Sequence, residues 1–416
     1  MQHTWYTIET GGAVVSDTAK REGINPIPAP GVLLHIGPPK TGTTALQLTC
    51  HTLRASMLEQ GVRYAGDEQQ PSTAVFAVTG RKHPSTGKAP SLRHWKKLRD
   101  EVVNAKEQRV LVSSEFFAGA TSEQAASVIR DLGGDRVQVL ITLRPLAKIL
   151  ASRWQQNVQE GADLSYIDWL TAVLNDRNSI QSQKFWSRQQ HAELVSRWAR
   201  VVGPDRVTVL VVDDAHRNAL MRDVEQLLGL KQETLRLSVD PLNRSLTAAE
   251  VEAIRMFNVA FKAANLSNAL RHKLMSRGGA LLLKTRAVEP GEARIMTPAW
   301  ADAAAQKIAQ EMITAIAASG VRIIGDLSLL TKGLDASAIG EMDEAAVKAA
   351  PEIGASLALG VLIATGAGRG YERGSRLPAW TEAEELKRVS TRILILVVLQ
   401  RQAQALLLRV RSLIRR

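Results

Sequence analysis

The chain has 416 residues, of which 45% are hydrophobic, and it carries a formal net charge of +12. This size and apolar content are sufficient for a large folded core and for one or two domains. An excess of positive charge suits nucleic acid, an anionic membrane or anionic small molecules. No helix-turn-helix, zinc-finger or RNA-recognition signature is present, so we expect no nucleic-acid partner.

Cysteine usage and hydropathy both indicate a cytoplasmic protein. Cys50 is the single cysteine, so no intrachain disulfide can form, as is usual in a reducing compartment. Residues 1–30 contain no apolar core like that of a signal peptide, and their proline-rich end predicts a flexible leader. No window approaches the roughly 18 consecutive apolar residues that a membrane-spanning helix needs.

Short apolar runs alternate with helical patterns over the first half of the chain. Strands are predicted at 32–37, 62–65, 109–114, 137–143 and 207–213. Helices are predicted at about 43–60, 122–132, 146–159, 165–175 and 187–202. This alternation predicts an α/β fold with a mainly parallel sheet flanked by helices, in which ligands bind beyond the carboxyl ends of the strands.

An irregular insert and a helical C-terminal part complete this pattern. Residues 66–95 lack a clear period, and a long irregular insert of this kind is often functional. A capping box at Thr247 and Glu250 starts a helix. A second helix is predicted at about 298–319, followed by a short apolar segment at 321–327.

The chain changes character after residue 330. We expect a catalytic domain over 31–330 and a C-terminal extension over 331–416. The extension ends in a basic amphipathic helix within 381–416, where Lys387 to Arg416 includes no acidic residue. Such a helix can lie on an anionic membrane, which would make the protein peripheral to the inner face of the membrane. Docking onto the domain or a second chain explains the same pattern equally well.

The stretch from Val32 to Thr44 combines an apolar strand, a tight turn and the start of a helix. Backbone N–H groups at such a junction face an anion. Lys40 adds a positive charge, and Thr41, Thr43 and Thr44 add hydroxyl groups. The sequence therefore predicts a phosphate-binding loop here.

Spacing distinguishes between two kinds of phosphate-binding loop. Gly37 and Gly42 have the separation found in nucleotide triphosphatases, but Thr43 occupies the position of their lysine. The order Pro39-Lys40-Thr41-Gly42-Thr43-Thr44 after a strand resembles instead the 5′-phosphosulfate loop of the PAPS-dependent sulfotransferases. PAPS is 3′-phosphoadenosine 5′-phosphosulfate.

Later segments add to this resemblance, which covers about 31–330. Arg144 at the end of a strand and Ser152 eight residues later resemble the 3′-phosphate site of the family. The planar fork of Arg144 suits a phosphate, and Ser152 offers a hydroxyl two helical turns on. Three short segments resemble the actinobacterial-type bacterial branch of the family, namely Asn243-Arg244-Ser245-Leu246, Trp154-Gln155 and Phe185-Trp186.

The resemblance implies a P-loop-like fold and PAPS as the sulfuryl donor, bound by Pro39 to Thr44, Arg144 and Ser152. It also implies sulfuryl transfer to a hydroxyl or amine of a carbohydrate, lipid or small-molecule acceptor. Lys40 would neutralise charge on the bridging oxygen as the phosphate leaves. No cluster of metal ligands is present in the sequence, and the family uses none.

A general base must take the acceptor proton, and three residues are candidates. Glu115 follows the strand at 109–114, where cytosolic members of the family place a histidine, so it is the first choice. His83 and His94 in the irregular insert are the alternatives. His35 lies within the first strand, where we expect it to pack or to support the site.

Two other functions remain open from the sequence. Asp213 and Asp214 end a strand in the manner of a magnesium-binding carboxylate pair, which would fit a P-loop kinase or NTPase. A membrane-associated protein could also keep the fold without chemistry. Arg277-Gly278-Gly279 weakly resembles the arginine-glycine cofactor loop of cytosolic sulfotransferases, although glycines that end a helix give the same pattern.

Overall fold

A parallel sheet is the centre of the computed structural model, which describes residues 23–83, 86–216, 218–236, 244–341 and 351–364. In these residues, six strands pair in the order β2-β3-β1-β4-β5-β6, and every pair is parallel. The strands are Gly31–His35 (β1), Val62–Tyr64 (β2), Arg109–Ser113 (β3), Val137–Leu143 (β4), Val207–Val211 (β5) and Arg322–Ile324 (β6). The predicted α/β fold with a parallel sheet flanked by helices is confirmed.

Helices connect the strands and form the C-terminal part. Between the strands lie Thr43–Thr52 (α1), Arg54–Leu58 (α2), Ser72–Val78 (α3), Arg93–Val103 (α4), Ser122–Leu132 (α5), Leu146–Glu160 (α6), Tyr166–Leu174 (α7), Ile180–Gln189 (α8), His191–Val202 (α9) and Ala219–Leu228 (α10). The later helices are Ala248–Ala263 (α11), Asn268–Leu274 (α12), Ala280–Thr285 (α13), Ala299–Ala317 (α14) and Pro351–Ala364 (α15).

The two faces of the sheet are covered by different helices, since successive side chains of a strand point to opposite faces. Val32 and Leu34 pack in one cluster with residues of α4, α5 and α9. Leu33 packs in another with residues of α1 and α10. Burial on both faces explains why the strands read as continuous apolar runs in the sequence.

A third cluster lies among the helices and includes the buried aromatic residues Trp154, Tyr166 and Phe257. Leu357 of α15 belongs to it, so part of the predicted extension packs in the core of the protein. Before residue 31, the backbone N–H of Ile27 donates to Leu227 O at 2.9 Å, and the Ile27 side chain is buried. The folded region therefore extends beyond 31–330 on both sides.

Several elements differ from the sequence prediction. The predicted irregular insert contains α3, whose sequence STAVFAV has no amphipathic period because four of its seven residues are buried. The helix predicted at 187–202 is two helices, α8 and α9, separated at Gln190 with φ −78° and ψ 83°. The short apolar segment at 321–327 provides the sixth strand. The basic helix predicted within 381–416 lies outside the described residues.

Position in the sheet explains where a ligand can bind. β1 lies between β3 and β4, and the chain leaves β1 toward one edge of the sheet before it returns to add β4 on the other side. Such a reversal of strand order opens a crevice at the carboxyl ends of the strands. In the described residues, no helix is both long and apolar enough to cross a membrane.

Candidate active site

The loop after β1 is curled by three residues in the left-handed region, with φ of 80° at Gly37, 75° at Lys40 and 87° at Gly42. A Cβ atom at Gly37 would lie 2.7 Å from the Cβ of Glu115, and one at Gly42 would lie 2.7 Å from Leu220 Cδ2. Both glycines are therefore required by backbone conformation and by space. The curled loop leads directly into α1, whose first turn contains no acidic residue. Loop and helix N-terminus together form an anion-binding geometry.

Lys40 carries an uncompensated charge at this loop. Burial, with the nearby Arg153 and Lys284 charges, lowers the pKa of Lys40 from 10.5 to about 8, although Glu160 and Glu115 act in the opposite direction. Within the part of the chain that the structure describes, no acceptor hydrogen-bonds to or ion-pairs with the Lys40 ammonium group. A positive φ is also uncommon for lysine. Strain and burial at one residue are typical of a functional position.

The threonines of the loop have different roles. Thr41 is fully buried, and its hydroxyl donates to Pro38 O at 2.7 Å and lies 2.7 Å from Thr142 Oγ1. That hydroxyl therefore stabilises the loop, and the backbone N–H of Thr41 is what it can offer an anion. Thr43 is buried at the start of α1, whereas Thr44 is exposed. Their backbone N–H groups belong to the first turn, where no intrahelical acceptor exists.

His35 joins the three central strands beneath the loop. Its Nδ1 lies 2.8 Å from Ser113 Oγ on β3, and its Nε2 lies 3.1 Å from Thr142 Oγ1 on β4. Burial lowers the pKa of His35 to about 3, so the ring is neutral at ordinary pH. His35 thus links β3 and β4 through its two ring nitrogens, and its support of the site stays a prediction. Neutral imidazole donates from one nitrogen and accepts at the other, which suits a bridge between two hydroxyls.

Gln47 of α1 extends the same network to Glu115. Its side-chain N–H group donates to Ser113 Oγ at 3.3 Å and to Glu115 Oε2 at 3.0 Å. Gln70 lies 3.5 Å from the other carboxylate oxygen, Glu115 Oε1. The carboxylate of Glu115 is therefore oriented by two amides and linked through buried side chains to the phosphate loop.

Glu115 begins a short 3₁₀ turn, Glu115–Gly119, directly after β3. With Pro39 it lines a cavity of about 900 Å³. His83 and His94 do not line that cavity. His83 instead contacts Phe76, with ring centroids 6.0 Å apart. Among the three candidate bases, Glu115 is thus the one that the fold brings to both the loop and the cavity.

Arg144 lies just before α6 and Ser152 lies in its second turn, and both are engaged in the protein. Arg144 donates from Nε and Nη2 to Asp214 Oδ2 at 3.1 and 2.9 Å, and Lys148 reaches the same oxygen at 3.0 Å. Burial acts to raise the pKa of Asp214, but the Arg144 and Lys148 charges and hydrogen bonds outweigh it and lower that pKa. The Ser152 hydroxyl donates to Ile149 O at 2.9 Å. A phosphate here would share these cations with Asp214.

The carboxylate pair after β5 does not match the magnesium site of a P-loop kinase. β4 lies between β1 and β5, so the strand that carries the pair is roughly 10 Å across the sheet from β1, the strand that precedes the loop. Asp213 is occupied by a local turn, in which it accepts from the backbone N–H of Ala215 and from His216 Nδ1. Asp214 is held by Arg144, which precedes α6, and by Lys148 of α6.

The segment Arg277-Gly278-Gly279 belongs to a helical stretch, where the wide turn Met275–Gly279 joins α12 to α13. A Cβ atom at Gly279 would lie 2.8 Å from Leu357 Cδ1, and one at Gly360 would lie 2.7 Å from Gly278 O. The glycines therefore allow α15 to pack closely against this stretch, and the helix does not end at them. The resemblance to a cofactor loop has no counterpart in the backbone.

The sequence prediction does not include the cations that line the cavity. Arg153 immediately follows Ser152, so its position on α6 could have been derived from the predicted helix. Arg188 lies on α8, which the sequence prediction found only at its end, and Arg81 lies in the insert. The full set of basic lining residues is Arg81, Arg153, Lys184, Arg188, Arg271, His272 and Lys284.

Comparison with known proteins gives one distant structural neighbour to report. The chain is similar to a crystal structure of a sulfotransferase from Alicyclobacillus acidocaldarius, with 16% sequence identity and a TM-score of 0.35. The aligned region covers 56% of this chain and 94% of that one. No protein-family model and no curated protein matches the chain.

Proposed function

We propose that this protein transfers a sulfuryl group from PAPS to a hydroxyl or amine of a carbohydrate, lipid or small-molecule acceptor. The observation that carries the proposal is that the Lys40 ammonium, which has no hydrogen-bond or ion-pair partner in the described residues, lies near enough to the Glu115 carboxylate for that charge to act on its pKa. The first belongs to an anion-binding loop and the second lines a large cavity. Sulfuryl transfer needs a cation for the leaving phosphate and a base for the acceptor.

PAPS supplies the sulfuryl group and, as it reacts, a negatively charged leaving phosphate. Lys40 and the N–H groups at the start of α1 stabilise that charge. Glu115 accepts the acceptor proton at one carboxylate oxygen while Gln47 holds the other, Oε2. Arg144 keeps Nη1 without a partner in the described part of the chain, so it has donors to spare for a 3′-phosphate.

Kinase or NTPase chemistry is the second candidate, and the site favours it less. The lysine of those loops follows the second glycine, and Thr43 stands there in this chain. The Asp213 and Asp214 carboxylates lie after β5, away from the loop. A non-catalytic role does not account for a half-buried lysine with a positive φ and a lowered pKa in this loop.

Thermal unfolding in the presence of nucleotides tests the proposal directly. A ligand that binds the folded state raises its apparent stability by mass action. We expect adenosine 3′,5′-bisphosphate to raise the Tm without magnesium, and ADP or ATP to have a smaller effect. A larger rise with magnesium and ATP would favour the kinase instead. No rise with any of these nucleotides would favour the non-catalytic alternative.

A further inference from the structure

The cavity that Glu115 lines is rich in guanidinium groups. It is bounded by the C-terminal half of α6, by α8, by α12 and α13, and by Phe76 and Phe116. Four arginines line it. Arg271 donates to the carbonyl oxygens of Gln159 and Glu160, which leaves Arg81, Arg153 and Arg188. Three positive side chains meeting in one cavity need a counter-charge.

Glu115, Glu160 and Asp163 also line the cavity, but in the described residues none of them forms an ion pair with Arg81 or Arg188. Arg81 lies over two aromatic rings, with its guanidinium carbon 4.9 Å from the Phe76 centroid and 4.7 Å from the Phe116 centroid. Arg188 lies against the backbone at Gly119. Neither arginine has a hydrogen bond or ion pair from its guanidinium to any residue that the structure describes.

Arg153 is only weakly compensated. Its closest carboxylate oxygen belongs to Glu160 at 3.9 Å, and the Glu160 side chain is 56% exposed. Burial, followed by the neighbouring Arg81 and Arg153, lowers the pKa of Arg188 to about 10. Burial and Arg153 also lower the pKa of Arg81, with Glu160 opposing them. The three groups are thus close enough to repel one another, and an anion placed among them would relieve that repulsion.

Helix geometry separates this cluster from the predicted donor site. Consecutive residues of an α-helix point about 100° apart. Lys148 and Ser152, one turn apart on α6, therefore lie along a different line from Arg153 and Asn157. Of these four, only Arg153 and Asn157 line the cavity. The phosphates of a donor are accounted for by the loop and Arg144, which leaves the cavity cations for a second molecule.

We infer that the acceptor carries an anionic group, a carboxylate, phosphate or sulfate ester, which Arg81, Arg153 and Arg188 hold while its hydroxyl or amine faces Glu115. This inference rests on the proposed function. Side-chain amides of Gln156, Asn157 and Gln181 also line the cavity and suit hydroxyl groups. An acidic or phosphorylated sugar combines the two features.

Sulfuryl transfer from labelled PAPS to matched acceptor pairs tests the inference. Suitable pairs are methyl glucoside with methyl glucuronide and N-acetylglucosamine with its 6-phosphate and its 6-sulfate. We expect the anionic member of at least one pair to be preferred, and Arg188→Gln to raise its KM about tenfold or more, the scale of a lost charge-assisted hydrogen bond. The neutral member should change less than about twofold. Arg81→Gln should behave in the same way.

Arg200→Gln is the matched control, because Arg200 is exposed on α9 and away from the cavity. It removes the same charge, so an equal effect on KM would reduce the result to long-range electrostatics and overturn the inference. Stability provides the second measurement. Since Arg188 has no partner in the described residues, Arg188→Gln should leave the Tm of the ligand-free protein unchanged or higher, whereas a purely structural arginine would lower it.

Binding of adenosine 3′,5′-bisphosphate separates the two levels of the argument. If it binds, but neutral acceptors are used as well as anionic ones, the anionic-acceptor inference fails and sulfuryl transfer stands. If Arg188→Gln weakens the bisphosphate itself by tenfold, the cavity holds the donor and the inference fails. If the bisphosphate does not bind at all, the proposed function fails. The acceptor inference fails with it unless methyl glucuronide or N-acetylglucosamine 6-phosphate still raises the Tm in an Arg188-dependent manner.

Discussion

Replacing Lys40 by methionine should stabilise the ligand-free protein while abolishing its response to adenosine 3′,5′-bisphosphate. Burial is the largest cause of the low pKa of Lys40, and the Arg153 and Lys284 charges add to it. Methionine is unbranched and similar in length, so the positive φ at this position is equally strained in both proteins. The substitution thus removes the charge and little else.

The expected gain follows from the pKa. A fall from 10.5 to about 8 corresponds to roughly 3 kcal/mol at about 1.4 kcal/mol per pH unit. Lys40 is only half-buried, so solvent reduces that figure, and we expect Lys40→Met to raise the free energy of unfolding by about 1–3 kcal/mol at pH 7. Lys307→Met, at an exposed position on α14, is the matched control and should change it by less than about 0.5 kcal/mol.

The way in which the stability advantage of Lys40→Met changes with pH can refute this reasoning. Between pH 8 and 10.5 the folded state binds fewer protons at Lys40 than the unfolded state, so Lys40 contributes a free energy of unfolding that rises with pH in that window. Below pH 8 the full cost of the buried charge is present. Urea unfolding at pH 7, 8, 9 and 10 should therefore show the advantage of Lys40→Met shrinking above pH 8. A variant no more stable than the parent at pH 7, or an advantage that is constant across this range, would refute the reasoning.

Three further predictions concern the base, the donor and the tail. Glu115→Gln should leave affinity for adenosine 3′,5′-bisphosphate nearly intact and lower turnover by about 100-fold or more in steady-state assays; near-normal turnover would transfer the role to His83 or His94. Arg144→Ala should weaken the bisphosphate by about 2 kcal/mol more than adenosine 5′-phosphate in calorimetry, and equal losses would contradict the 3′-phosphate assignment. Removal of 381–416 should lower co-sedimentation with anionic liposomes, and unchanged co-sedimentation would exclude membrane contact through this segment.

Most of the sheet could be predicted because its signals are local. Five strands were found within a few residues of their observed bounds, since each is a buried apolar run bounded by turn residues. α3 was missed for the same physical reason: burial on several sides removes the polar positions that would reveal a helical period. The split between α8 and α9 was missed because one backbone conformation at Gln190 causes it.

The geometry of the candidate site could be predicted in part. The loop from Pro39 to Thr44 is contiguous, so its signal survives in the sequence. The hydrogen-bond network beneath the loop has no such signal in the sequence. Its members His35, Ser113 and Thr142 come from three strands that only the sheet order brings together. The sequence also gives no local sign that the Arg144 guanidinium pairs with the Asp214 carboxylate.

The location of the positive charge, like the support beneath the loop, depends on how the chain folds. Composition indicates anionic partners, but it does not distinguish a basic surface from a basic cavity. Arg81, Arg153 and Arg188 are widely separated in the sequence and meet only when α6, α8 and the insert pack together. A buried cation without a partner lowers stability, and the same group raises affinity for an anion that enters. Lys40 and Arg188 therefore obey one rule: neither should make the ligand-free protein more stable than its neutral variant, and each should make that protein gain more from its own anionic ligand. If Lys40→Met and Arg188→Gln both lowered the stability of the ligand-free protein, these cations would stabilise the fold. The cavity would then need no anionic occupant.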